Sequence, residues 1–154
     1  MRKSFLKRID KYGGDVYNRI RIHLEVIEAV KKAVGDDFPI LLRLGASDYQ
    51  EGGITIEDSK IATQEFEKAG VDILDISGGH SGYIMAGLNG QGFFSPLTEV
   101  IKEVVSIPVI LTGGITEPEA AERLLAEGKA DLIGVGRAIL EDSTWAKRAI
   151  ESLS

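Results

Sequence analysis

The sequence contains no cysteine, which excludes disulfides, thiolate nucleophiles, zinc-thiolate sites and iron-sulfur ligation within it. Any redox chemistry here has to run on a bound organic cofactor. No apolar run approaches the roughly 20 residues that a membrane-spanning helix needs, so no membrane association is expected. The N-terminal stretch Met1-Arg2-Lys3-Ser4-Phe5-Leu6-Lys7-Arg8 is basic, but it lacks the apolar segment and small-residue cleavage site of a secretory signal, and a cytoplasmic location is the expectation. Positive charge is also in short supply. The net charge is -6 and the pI about 5.0, with Lys and Arg scattered along the chain. Nucleic acid is not expected as a partner, because binding to a phosphate backbone requires a concentrated positive face. The HExxH spacing of a metal site and the GxSxG nucleophile elbow are both absent, and no metal is expected.

What remains is the composition of a globular domain, 44% hydrophobic and 27% charged, long enough to bury one core. Four short apolar runs recur: Ile40 to Leu44, Val71 to Ile76, Ile107 to Leu111 and Ala130 to Val135. Each reads as a buried parallel strand. Between them the periodicity is helical. A first helix is expected from about Asp15 to Val34, with Val16, Ile20, Leu24, Ile27 and Val30 on one face. A second starts at Thr55, with Asp58 at capping-box spacing, and stops at Gly70. A third opens at Ser95-Pro96. A fourth repeats the capping box with Thr116 and Glu119, and a last one runs from about Asp142 to Leu153. Strands alternating with helices build a parallel sheet by right-handed crossovers. Open doubly wound sheets and closed barrels both fit this series. No linker or low-complexity stretch interrupts it, so residues 1–154 read as a single segment. Its four strands make half of an eight-stranded (β/α)₈ (TIM) barrel, which usually takes about 250 residues.

In parallel α/β folds the chemistry sits at the C-terminal ends of the strands. After the third strand comes Thr112-Gly113-Gly114-Ile115, and after the fourth Gly136-Arg137. Paired glycines let a ligand approach the backbone and leave N-H groups to point at an anion. The start of the next helix near Thr116 would add a favourable dipole, and Arg137 a charged contact. The alternative is a plain tight turn and a surface arginine; the occurrence of both features on consecutive strands favours a phosphate site. Arg43 interrupts an apolar strand, where a charge needs a partner or a ligand. Two readings stay open for it: a cofactor contact, or an ion pair with Asp75 or Asp72. His80, after the second strand, is a candidate ligand contact, although a loop histidine is more often solvated. His23, on the first helix, reads as structural.

Arg8-Ile9-Asp10-Lys11-Tyr12-Gly13-Gly14, followed by Asn18-Arg19-Ile20-Arg21, resembles the R-x-D-x-Y-G-G-S-x-E-N-R-x-R-F signature of the old yellow enzyme (NADH:flavin oxidoreductase) family. The order of Leu42-Arg43-Leu44-Gly45-Ala46-Ser47-Asp48-Tyr49, Ala69-Gly70-Val71-Asp72, Thr112-Gly113-Gly114 and Gly136-Arg137 is similar to the same family. Departures are Asp15 for serine, Tyr17 for glutamate, Ile22 for phenylalanine and Ser143 for proline. The resemblance implies strands five to eight of an FMN-binding TIM barrel, with the N-terminal half absent. It implies that Arg43 is a catalytic and cofactor-binding residue at the flavin N1/O2 edge, and that Gly113, Gly114, Gly136 and Arg137 bind the FMN phosphate. Arg8, Asp10, Asn18 and Arg19 would form a hydrogen-bonded cluster before the first helix. NAD(P)H would be the electron donor and an activated alkene the small-molecule substrate, as in ene-reductases. The family's substrate-binding His-His or His-Asn pair and its proton-donating tyrosine lie upstream of the Tyr-Gly-Gly motif, so a fragment inactive alone is expected, prone to self-association or needing its missing half-barrel. The alternatives are a non-catalytic FMN- or phosphate-binding module, or another phosphate-binding barrel enzyme such as a dihydrouridine synthase.

Overall fold

The computed structural model describes residues 8–79 and 89–153. Their order is α1 (Val16–Val34), β1 (Leu41–Gly45), α2 (Ile56–Lys68), β2 (Ile73–Ser77), α3 (Ser95–Lys102), β3 (Val109–Leu111), α4 (Pro118–Ala126), β4 (Leu132–Ile133), α5 (Arg137–Glu141) and α6 (Trp145–Ser152). The strands form one parallel four-stranded sheet in chain order, without the reversal that marks a doubly wound sheet. Among the described residues, β1 pairs only with β2 and β4 only with β3, so both outer edges carry unpaired backbone groups.

The register lines up Leu44, Ile76, Leu111 and Ile133 in one row and Arg43, Asp75, Ile110 and Leu132 in the row before it. Consecutive strand residues point to opposite faces. The Leu44 row, with Leu74 and Val109, packs on Ala62, Phe66, Leu97, Ile101 and Leu124 of the helices to form the core. The Arg43 row lies on the other face, where Leu41 is 56% and Leu132 44% exposed. Among the described residues the strands are therefore covered on one side only, and not on both as their apolar runs suggest.

Most helix ends follow local chemistry. Asp15 accepts from the Asn18 amide at 2.9 Å and Thr55 Oγ1 from the Asp58 amide at 3.2 Å, which fixes the starts of α1 and α2. Three expectations give way. α3 is capped by Phe94 rather than Ser95, and α4 by Glu117 rather than Thr116, neither with a side-chain cap bond. The last expected helix starts late, as α6 at Trp145 rather than near Asp142, and an unforeseen short helix, α5, precedes it; between the two, Asp142 Oδ1 takes the Thr144 amide (2.9 Å) and hydroxyl (2.6 Å) while Oδ2 takes the Arg148 guanidinium (3.0 and 2.6 Å). These bonds, Thr144's foremost and then Arg148's, hold the Asp142 carboxyl down at about 2. Among the described residues no helix is long and apolar enough to cross a membrane.

Carboxylates pin the N-terminal edge of the sheet. Asp72 Oδ2, just before β2, accepts from the Ile40 amide at 2.8 Å, just before β1. Asp131 Oδ2, just before β4, accepts from the Val109 amide at the start of β3 at 2.9 Å, while its other oxygen takes Lys102.

The expected cluster of Arg8, Asp10, Asn18 and Arg19 separates into three parts. Arg8 pairs with Asp10 at the surface; Arg21 donates to Asn18 Oδ1 (3.1 Å) and to the Lys11 carbonyl (2.9 Å); and Arg19 turns inward. Its side chain is 5% exposed and pairs with Asp58 at 2.7 Å, with Nη1 donating to the Gly14 carbonyl at 2.6 Å. This bridge joins α1 to α2. Arg19→Met should therefore lower the unfolding free energy by about 3 kcal/mol, the low end for breaking a buried pair, since the N-terminus of α2 also favours the Asp58 carboxylate. Urea denaturation tests this; a loss below about 1 kcal/mol would place the bridge among weak surface pairs.

Candidate functional site

The C-terminal ends of β3 and β4 and the open face of the sheet bound a cavity of about 730 Å³, within the usual 300–1,000 Å³ of small-molecule sites. It brings together all five residues singled out in the sequence: Arg43, Gly113, Gly114, Gly136 and Arg137.

Gly113 and Gly114 have φ of 111° and 69°, a region that side chains other than glycine's rarely adopt. Space demands glycine as well. A Cβ on Gly114 would lie 2.3 Å from the Gly90 carbonyl oxygen and 2.8 Å from the Phe93 ring, and one on Gly113 would lie 2.8 Å from Phe94. Tight packing of the 90–94 segment thus accounts for the glycine pair before any ligand is considered. The ligand enters through the hydrogen-bond accounting: among the described residues, the N-H groups of Gly113, Gly114, Gly136 and Arg137 donate to no protein acceptor. Gly113 and Gly114 are half-buried, Gly136 and Arg137 exposed at the start of α5 where amides have no intrahelical acceptor, and these four stand around one cavity. Arg137 is exposed beside them, without an ion-pair partner among the described residues. This donor set fits a phosphate-bearing organic ligand.

The start of α4 does not contribute as expected. Its amides at Thr116 and Glu117 donate to Gln91 Oε1 at 2.8 and 3.3 Å, and Gln91 Nε2 donates to Thr116 Oγ1 at 2.7 Å. A glutamine 25 residues upstream occupies the place an anion would take.

Of the two readings of Arg43, the ion pair with Asp75 is formed, and the pair stands at the cavity. Nη1 donates to Asp75 Oδ2 at 2.7 Å, and the two side chains, 48% and 21% exposed, line the cavity. Asp75 Oδ1 is buried without a partner among the described residues. Asp72 is committed to the Ile40 amide. His23 packs its ring on Phe66, 5.6 Å between centroids, and burial pushes its imidazole pKa down; it belongs to the α1–α2 interface. His80 lies outside the described residues. No cluster of three or more His, Cys, Asp or Glu among the described residues could hold a metal.

Two lining or supporting residues escape sequence reasoning, Phe93 and Gln91. Neither belongs to a motif, and their partners are 20 to 26 positions away.

A family model described as NADH:flavin oxidoreductase / NADH oxidase matches residues 1–154. The NADH oxidase of Thermoanaerobacter brockii is 44% identical over 149 residues, spanning 94% of this chain and 23% of that protein. The NADPH dehydrogenase of Bacillus subtilis (strain 168) is 35% identical over 148 residues, spanning 96% of this chain and 43% of that protein. Among solved structures, a 2-naphthoyl-CoA reductase in complex with 2-naphthoyl-CoA matches with a TM-score of 0.87 at 30% identity, over 95% of this chain and 23% of the other. The chain thus spans less than half the length of these relatives.

Proposed function

Because the chain belongs to the NADH:flavin oxidoreductase / NADH oxidase family, we propose that it supplies the phosphate pocket and the flavin-facing arginine of an NAD(P)H-dependent FMN oxidoreductase. FMN is that family's cofactor and NAD(P)H its electron donor. In this reading residues 1–154 are one segment, strands five to eight of a (β/α)₈ barrel. The first four strands would cover the open sheet face and both free edges. A chain-order parallel sheet with its mouth cavity at the last two strands supports it, since phosphate sites of barrels commonly form there.

The observation that carries the proposal is the set of four unclaimed amides around one cavity, with Arg137 beside them. Gly113, Gly114, Gly136 and Arg137 would hold the FMN phosphate. Arg43 would face the pyrimidine edge of the isoalloxazine, where a positive charge favours the reduced flavin, and Asp75 would fix its orientation. When bound, FMN takes hydride from NAD(P)H and passes it to the substrate. We take that substrate to be an electron-poor alkene, which the likeness to a reductase holding 2-naphthoyl-CoA supports.

Comparison of FMN with riboflavin tests the phosphate site directly, because the two differ only in the phosphate. FMN should bind this chain at least about tenfold more tightly, the gain of one charge-assisted contact or more. Equal affinities in a fluorescence titration would remove the basis of the assignment.

A further inference from the structure

The Gly113-Gly114 loop is conformationally free by composition, and both glycines stand at positive φ. What fixes it is the segment just before α3. Phe93 donates its backbone N-H to the Gly113 carbonyl at 3.2 Å, and its ring fills the space that Cβ atoms on Gly113 and Gly114 would need, at 3.0 and 2.8 Å. Gly90 presents its carbonyl oxygen to the same side of Gly114. Gln91 then ties down the far end of the loop with three hydrogen bonds to Thr116 and Glu117. Three residues of the 90–93 segment thus grip the loop at both ends, and Phe93 itself forms part of the cavity wall.

We propose that Gln91 and Phe93 are positioning residues for the phosphate loop: they hold the Gly113 and Gly114 amides towards the cavity before the ligand arrives, and Gln91 occupies the Thr116 and Glu117 amides that follow them. The inference rests on the phosphate reading above and adds to it the origin of the affinity. Two adjacent glycines would lose much conformational freedom on gripping an anion. Ordering them in advance removes that cost from binding. The Gln91 carboxamide also leaves the Thr116 and Glu117 amides paired within the protein, so the loop's free donors are confined to its glycine end.

The test uses the full chain, with FMN and riboflavin as probes, in wild type, Gln91→Ala, Phe93→Leu and Gly114→Ala. Gln91→Ala should weaken FMN binding about tenfold, equivalent to losing roughly 1.4 kcal/mol of preorganisation, and leave riboflavin affinity unchanged. Hydrogen exchange at Thr116 and Glu117 should quicken, which verifies that the grip is released in a folded chain. Phe93→Leu keeps apolar volume but not the ring wall, and should shift the FMN-to-riboflavin ratio in the same direction; it serves if Gln91→Ala does not fold. A purely structural role would lower thermal stability and leave that ratio alone. If Gly114→Ala abolishes the FMN preference while both the Gln91 and Phe93 variants keep it, the positioning role is overturned and the phosphate site stands. If wild type shows no FMN preference, both fall together.

Discussion

Purified by itself, the 154-residue chain is expected to elute as dimers or larger assemblies and to show essentially no NAD(P)H-dependent reduction of cyclohexenone. The outer edges of β1 and β4 are unpaired among the described residues, and open edges recruit further strands. The uncovered sheet face presents Leu41 and Leu132 to solvent, and α1 adds Ile22, Val26 and Val30, all exposed. Apolar patches of several hundred Å² drive association. Catalysis should fail for a separate reason. The family resemblance places the substrate-holding pair and the proton-donating tyrosine in a segment upstream of the Tyr-Gly-Gly motif, and none of the tyrosines here matches that donor. Light scattering coupled to size exclusion, together with an enone assay, checks both halves. A monodisperse monomer that turns over would overturn both expectations.

In a complete barrel containing these residues, Arg43→Met should slow flavin reduction by about 100-fold or more, in line with the loss of one preorganised electrostatic contact, while FMN retention changes only a few-fold. The separation follows from the geometry. Gly113, Gly114, Gly136 and Arg137 stand on β3 and β4 loops that the substitution does not touch, whereas Arg43 is on β1. Asp75 complicates the outcome, because one of its oxygens already lacks a partner and the other would lose the guanidinium. The double variant Arg43→Met/Asp75→Asn resolves this. If it restores the rate of stopped-flow reduction by NAD(P)H, the defect was a stranded carboxylate; if the rate stays low, the missing charge was responsible. Unchanged kinetics in the single variant would remove Arg43 from the chemistry.

The strands were legible because β-branched apolar runs leave few other conformations, and the order of elements followed from their spacing. α1 and α2 were legible at their starts because Asp15 and Thr55 cap within their own turn. The cavity residues could be listed in advance because parallel α/β folds open their clefts at the C-terminal ends of the strands, and because a charge inside an apolar strand, as at Arg43, needs a partner. What stayed hidden depends on distant partners. The Thr116 capping box gave way to Gln91, which engages the Thr116 amide and hydroxyl from 25 residues upstream. Arg19 found Asp58, 39 positions ahead, and left the surface cluster its neighbours form. The late start of α6 came from the Asp142 carboxylate turning back to the Thr144 amide, and the short α5 ahead of it carried no pattern long enough to read. Local patterns do not rank such competitors, since the energies separating them arise only once the chain is packed.

Asp72 and Asp131 hold the starts of neighbouring strands from the end of the sheet opposite the cavity. Strand alignment is therefore inherited from that end and does not have to be negotiated by the loops at the mouth. Those loops are at liberty to diverge: an altered turn after β3 or β4 changes what is recognised, while the scaffold beneath keeps its register. Errors are partitioned in the same way, with faults near the aspartates appearing as misfolding and faults near the glycines as lost recognition. Such an arrangement lets one framework be re-equipped for new ligands without first being rebuilt.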